Sequence, residues 1–234
     1  MHRFFVNEKI GNTFKLDDQT LHHIKVARLS KDNFLINFQG EFYECQLETD
    51  TNLARIIRKI NINHEFNNNL ILAAPIIKPE RFEWMLEKSV ELGVKKIIPM
   101  ISQYCNHKLI DSSFSDKKYI RYQTKIKEAA QQSFRNIIPD ITKPQKLEHI
   151  VNEYLNQNYT IYIALETLDN SLQTNFLVTN SVMIAGPEGG FKENEIEFIM
   201  KIASTNENIK LISLGARILR AETAAITMLA KVKE

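Results

Sequence analysis

Two short segments near the end of the chain carry residue types that packing alone does not require. The run Ile184-Ala185-Gly186-Pro187-Glu188-Gly189-Gly190-Phe191 sets three of the chain's seven glycines around one carboxylate. Glycine reaches backbone conformations closed to other residues and lets the main chain approach a ligand closely. The run follows an apolar stretch and leads into a helix start, where backbone N–H groups attract an anion such as a nucleotide phosphate. The plain alternative is a tight strand-to-helix turn that binds nothing. The spacing fits neither GxGxxG nor the phosphate-binding GxxxxGK pattern. The helix that follows opens on Glu193 and Glu195, an acidic turn expected to repel a pyrophosphate. A ligand with positive charge, or little negative charge, is therefore expected.

The second segment is Leu214-Gly215-Ala216-Arg217-Ile218-Leu219-Arg220-Ala221-Glu222-Thr223. It places two arginines and a glutamate where a strand meets the last helix. A guanidinium in such a position binds phosphate or stabilises a developing anion. Arg220 and Glu222 are also compatible with simple decoration of a helix start. Beside the first segment, they would surround a crevice with hydrogen-bond donors, a guanidinium and a carboxylate.

These loops need a scaffold, and the hydrophobic pattern supplies one. From Asn69 the chain alternates strands (69–77, 95–101, 159–165, 181–186 and 209–215) with helices. The helices are expected after Lys78 and near 116–135, 146–156, 192–203 and from 221 on. Such alternation predicts an α/β fold with a mainly parallel sheet covered on both faces. Before Asn69 the pattern differs: short strands at 3–6, 33–38, 41–48 and 54–62, one helix at 17–28, and a hairpin turn at 39–41. Close-spaced short strands suggest a small sheet or barrel. The polar run 64–69 marks the expected boundary, dividing the chain into 1–69 and 70–234. Trp84 is expected on the helix face opposite the Phe82–Leu86–Gly93 stripe, packed on a neighbour or at a dimer contact.

The 234 residues are 44% hydrophobic with a net charge of +2, which excludes a disordered or collagen-like chain. No apolar run approaches a membrane span, and the N-terminus lacks the pattern of a secretory signal. Cys45 and Cys105 stand far apart without a CxxC partner, which points to a reducing, cytoplasmic setting and no disulfide. The six histidines show no metal-ligand spacing, so no zinc site is expected. The charge is unevenly spread: residues 1–69 sum to zero, 70–146 to +6 and 147–234 to −4. The basic middle reads as a solvated helix face or as a surface for nucleic-acid phosphates.

Taken together and in order, MHRFFV, KPERFEWMLEKSVELGVKKIIPMIS, KEAAQQSFRNIIPDI, IAGPEGGF and LGARILRAETAA resemble the bacterial 16S ribosomal RNA uridine N3-methyltransferases of the SPOUT class. Those enzymes act at the position conventionally called uracil 1498, and the resemblance spans essentially the whole chain. It implies a PUA-like β-barrel for RNA binding over 1–69. Over 70–234 it implies an α/β methyltransferase domain with a deep trefoil knot, an S-adenosylmethionine pocket and a homodimer. Matched motif by motif, Gly186, Glu188 and Gly189 would lie in the first cofactor loop. Leu214, Gly215, Ile218 and Leu219 would meet the adenine and ribose in the second, with Leu165 adding to the pocket. Ser102-Gln103-Tyr104-Cys105 departs from the Ser/Thr-Glu-Arg-Ser/Cys stretch common in the family, and Gln131 replaces a glutamate.

Methylating N3 of uracil removes the N3 proton and builds negative charge on the ring. On the implied activity, Arg220, or alternatively Arg217, would stabilise that anion. Glu222 would orient the arginine or relay the proton, with Glu188 as the alternative base. Arg3, Lys25 and Arg28 are the expected RNA contacts of the first domain, and Arg121, Lys125 and Arg135 those of the long helix. The RNA would be the 16S rRNA of the small subunit. The competing functions are a non-catalytic RNA-binding protein, a dinucleotide-dependent oxidoreductase, and a SPOUT methyltransferase with another RNA target.

Overall fold

A computed structural model describes residues 1–105, 107–166 and 175–234. The chain divides into two compact units, Met1–Glu65 with Ala130–Ile138, and Phe66–Ala129 with Pro139–Glu234. One boundary near Asn69 does not reproduce this division, because residues 130–138 are grouped with the first unit.

The first unit contains β1 (Arg3–Phe5), β2 (Glu8–Ile10), β3 (Thr13–Lys15), α1 (Asp18–Val26), β4 (Phe34–Phe38), β5 (Glu41–Leu47) and β6 (Leu53–Ile60). The six strands form one sheet in the order β1-β4-β5-β6-β3-β2. β1 pairs parallel with β4, and the remaining pairs are antiparallel. The turn expected at 39–41 joins β4 to β5, with both Gln39 and Gly40 at positive φ. Two such residues match the right-handed twist of the flanking strands. Asp17 caps α1 by accepting the Thr20 N–H at 2.7 Å. Phe4, Phe14, Ile24, Phe34 and Ile36 close the core. Cys45 is buried in it, and burial pushes its thiol up to about 12, which leaves it protonated and inert.

The second unit opens with β7 (Leu70–Pro75), α2 (Pro79–Glu91), β8 (Lys96–Ile101), α3 (His107–Ser113) and α4 (Asp116–Gln132), whose last residues belong to the first unit. It continues with β9 (Asp140–Ile141), β10 (Gln145–Lys146), α5 (Leu147–Asn156), β11 (Thr160–Ala164) and β12 (Leu177–Val178). The chain ends with β13 (Ser181–Ala185), α6 (Glu193–Thr205), β14 (Ile209–Ile212), α7 (Ala221–Ala230) and β15 (Val232–Lys233). A parallel sheet runs β10-β8-β7-β13-β11-β14, with β9 beside β8. β7 and β13 are buried along their whole length, as continuous apolar runs covered on both faces should be. Helices α5, α6 and α7 pack on this sheet, and α2 packs on α7. Among the described residues no helix is long and apolar enough to cross a membrane.

Candidate cofactor cavity

Four sheet neighbours, β7, β13, β11 and β14, run parallel, so their carboxyl ends share one edge. Ligands bind at that edge in open α/β sheets. Each strand contributes to a cavity of about 590 Å³ there, within the usual range for small-molecule sites. β7 leads to Lys78 and, one helical turn into α2, Arg81. β11 leads to Leu165 and Glu166. β13 leads into Gly186, Glu188, Gly189 and Gly190. β14 leads into Leu214, Gly215, Arg217, Ile218, Leu219 and Arg220.

The glycines in the first loop are there for two different reasons. Gly190 has φ +71°, a conformation that a side chain disfavours. Gly186 and Gly189 have ordinary φ values, but aromatic rings press on them. A Cβ on Gly186 would stand 3.2 Å from the Phe191 ring, and one on Gly189 would stand 3.3 Å from Tyr104. Phe191 also lines the cavity, with Ile196 behind it. Leu165, Phe191, Leu214 and Leu219 provide apolar contact suited to a flat heterocycle, and Glu166 and Glu188 provide acceptors for hydroxyl or cationic groups.

The charged groups sit differently from the sequence expectation. Glu195 does not face the cavity. It is buried at 2% exposure and accepts the N–H of Lys192, closing the first turn of α6, and the N–H of Gln103, each at 2.9 Å. Neither it nor Glu193 lines the pocket, whose charged lining is Lys78, Arg81, Arg217 and Arg220 against Glu166 and Glu188. The acidic turn therefore gives no reason to exclude a phosphate. Glu222 lies in the first turn of α7 but is also absent from the lining. Its nearest guanidinium belongs to Arg81, Nε to Oε1 at 3.8 Å, rather than to Arg220 or Arg217. Arg81 Nη1 also donates to Glu188 Oε1 at 2.5 Å. Sequence reasoning gave Arg81 and Lys78 no role, although both stand just beyond β7, a sheet neighbour of the glycine loop's strand.

An RNA methyltransferase domain model matches residues 64–233. This chain belongs to the RNA methyltransferase family. A ribosomal RNA small subunit methyltransferase E from Mesomycoplasma hyopneumoniae is 40% identical over 99% of this chain and 98% of its own length. A small subunit methyltransferase E from Neisseria gonorrhoeae, solved with S-adenosylmethionine bound, is 26% identical. It superposes with a TM-score of 0.82 over 98% of this chain and 95% of its own. A Legionella pneumophila methyltransferase solved with the same cofactor gives a TM-score of 0.76 at 27% identity, covering 97% and 95%.

The residues expected to meet RNA in this methyltransferase are distributed unevenly. Lys25 and Arg28 are exposed on and just after α1. Arg3 is spent internally: Nη1 donates to the Gln131 and Gln132 carbonyls at 3.0 and 2.7 Å, and its guanidinium lies over the Phe134 ring. Arg121 is exposed but forms a two-point pair with Glu83 at 2.6 and 2.8 Å, and Lys125 pairs with Glu87 at 3.1 Å. Both cations are held above their ordinary pKa by those partners. Arg135 is not on an exposed face. α4 stops at Gln132, Phe134 takes φ +61°, and Arg135 turns inward to 3% exposure against Glu65. The helical spacing that carried Arg135 outward had already ended.

Proposed function

We propose that this chain is an S-adenosylmethionine-dependent methyltransferase acting on N3 of a uridine in the 16S rRNA of the small ribosomal subunit. The cavity at the shared carboxyl edge of β7, β13, β11 and β14 carries the proposal. Its apolar walls, its acceptor carboxylates and the cations of Lys78, Arg217 and Arg220, which form no ion pair among the described residues, suit a nucleoside with both a cationic and a carboxylate end. Small subunit methyltransferase E relatives span almost the whole chain, which supports ribosomal RNA as the substrate.

S-adenosylmethionine, when bound, supplies an electrophilic methyl carbon. Gly186, Gly189, Leu214 and Gly215 would bring main chain close to it, while Leu165, Ile218 and Leu219 would pack on its adenine and ribose. The side chains of Arg217 and Arg220 line the cavity and make no ion pair or hydrogen bond among the described residues. Arg220, with Arg217 second, would stabilise the uracil anion that forms when N3 loses its proton. Glu188 lines the cavity and Glu222 does not, so Glu188 is the better-placed proton acceptor. Glu222 instead orients Arg81. The nitrogen lone pair then forms the N–CH3 bond as the S–CH3 bond breaks, so holding the two in line supplies much of the acceleration.

The same reading assigns the first sheet to a PUA-like β-barrel that binds RNA through Lys25 and Arg28. It places a trefoil knot at the cofactor loops, supported by the insertion of late strand β13 between β7 and β11. It further implies a homodimer working in the cytoplasm on assembled small subunits. Mapping N3-methyluridine in ribosomal RNA from cells with and without this protein tests the assignment. One uridine is expected to lose the mark; unchanged maps would refute it, and a mark lost elsewhere would change the target.

A further inference from the structure

The turn after β8 is fixed at several points. Ser102 and Cys105 are buried, the Cys105 N–H donates to the Ser102 carbonyl at 3.0 Å, and the Ser102 N–H donates to Cys105 Sγ at 3.4 Å. The Gln103 N–H is held by the buried Glu195 carboxylate at 2.9 Å. The same carboxylate closes the first turn of α6, so the turn and the helix that follows the glycine loop share an anchor. At the tip of this turn stands Tyr104, 55% exposed. Its Cβ and Cγ lie 3.3 and 3.5 Å from where a Cβ on Gly189 would be. Because Gly189 has no positive φ, its missing side chain serves as room for Tyr104 rather than as backbone freedom.

An aromatic side chain usually contributes by burying its large apolar surface. This one is held at a defined position against Gly189, a residue of the cavity lining, and is still left open to water. An aromatic face beside a cavity that must receive a base has a direct use. Enzymes that modify a base take it out of its stack and hold it against aromatic or apolar side chains. Ile218, 84% exposed and part of the cavity lining, offers a second apolar surface on the other loop.

We infer that Tyr104 is a substrate-binding residue whose ring stacks on the unstacked uracil delivered to the cavity. The inference rests on the RNA methyltransferase reading and adds to it the residue that receives the base. Tyr104→Leu keeps bulk against Gly189 but removes the π-face, whereas Tyr104→Phe keeps the face and loses only the hydroxyl. Steady-state methyl transfer from S-adenosylmethionine to unmodified small subunits is the measurement, with cofactor Kd taken in parallel. Tyr104→Leu is expected to lower kcat/KM for the RNA about tenfold, as loss of one base–aromatic stack does. Cofactor Kd and Tm should stay unchanged, and Tyr104→Phe should recover most of the loss. Unaltered kcat/KM in Tyr104→Leu would overturn the inference alone, as would a loss confined to cofactor affinity. No transfer by the unsubstituted protein would overturn the methyltransferase reading itself and this inference with it.

Discussion

Arg135 and Arg81 both hold glutamate carboxylates, but their surroundings satisfy them to different degrees. In the first unit Arg135 meets both oxygens of Glu65, through Nε at 2.8 Å and Nη2 at 2.6 Å. The amides of Asn136 and Ile137 donate to Oε1 as well. At the cavity Arg81 is shared between Glu188 and Glu222, and the latter contact, at 3.8 Å, is longer than a hydrogen bond. Glu222 is 7% exposed, yet its Oε2 has no partner among the described residues. Full satisfaction marks a pair that holds structure. Shared and incomplete satisfaction leaves Arg81, which lines the cavity, with bonding capacity that a ligand can use, and the cost of the unpaired buried oxygen behind it is tolerated.

Removing either arginine tests that contrast. Arg135→Ala leaves Glu65 charged, buried and uncompensated, and should cost about 3–5 kcal/mol in urea unfolding, with cofactor Kd unchanged. A loss under about 1 kcal/mol would put Arg135 among ordinary surface charges. Acid sharpens the same point more gently. Burial pushes the Glu65 carboxyl up, but Arg135 and the two amides outweigh it and hold the group below its ordinary 4.5. The pair's contribution is therefore complete above about pH 4.5 and is lost as pH falls through the lower folded value. The Tm of the unsubstituted chain should fall more steeply below that pH than the Tm of Glu65→Gln; parallel curves would contradict the assignment. The smallest effect is expected at the cavity. Arg81→Ala should weaken S-adenosylmethionine binding about tenfold, near 1.4 kcal/mol, and destabilise the chain less than Arg135→Ala does. The reverse order would erase the distinction between the clusters.

The long elements and both cavity loops were legible because their signals are local. Continuous apolar runs marked β7 and β13, helical stripes marked α2 and α7, and the clustered glycines marked the first loop. What was not legible depends on partners distant in sequence. Arg135 looked like the end of a basic helix face because nothing near it announces Glu65, seventy positions away. Glu195 looked like an acidic turn facing a ligand, whereas it closes its own helix and holds Gln103. The two-residue strands β9, β10, β12 and β15 are too short for any periodicity to show. Arg81 was visible as a residue but not as a cavity residue, because only the sheet order brings the end of β7 beside the loop after β13.

On the proposed function, the cavity transfers a methyl group to a uridine and Arg220 stabilises the charge formed there. Transfer of labelled methyl from S-adenosylmethionine to unmodified small subunits, with the product located by mass spectrometry, tests it most directly. The label should appear on N3 of one uridine. Arg220→Ala should lower kcat by about 100-fold, the scale for loss of one transition-state donor, while still binding the cofactor. Label on no RNA, or undiminished transfer by Arg220→Ala with cofactor binding intact, would contradict the account.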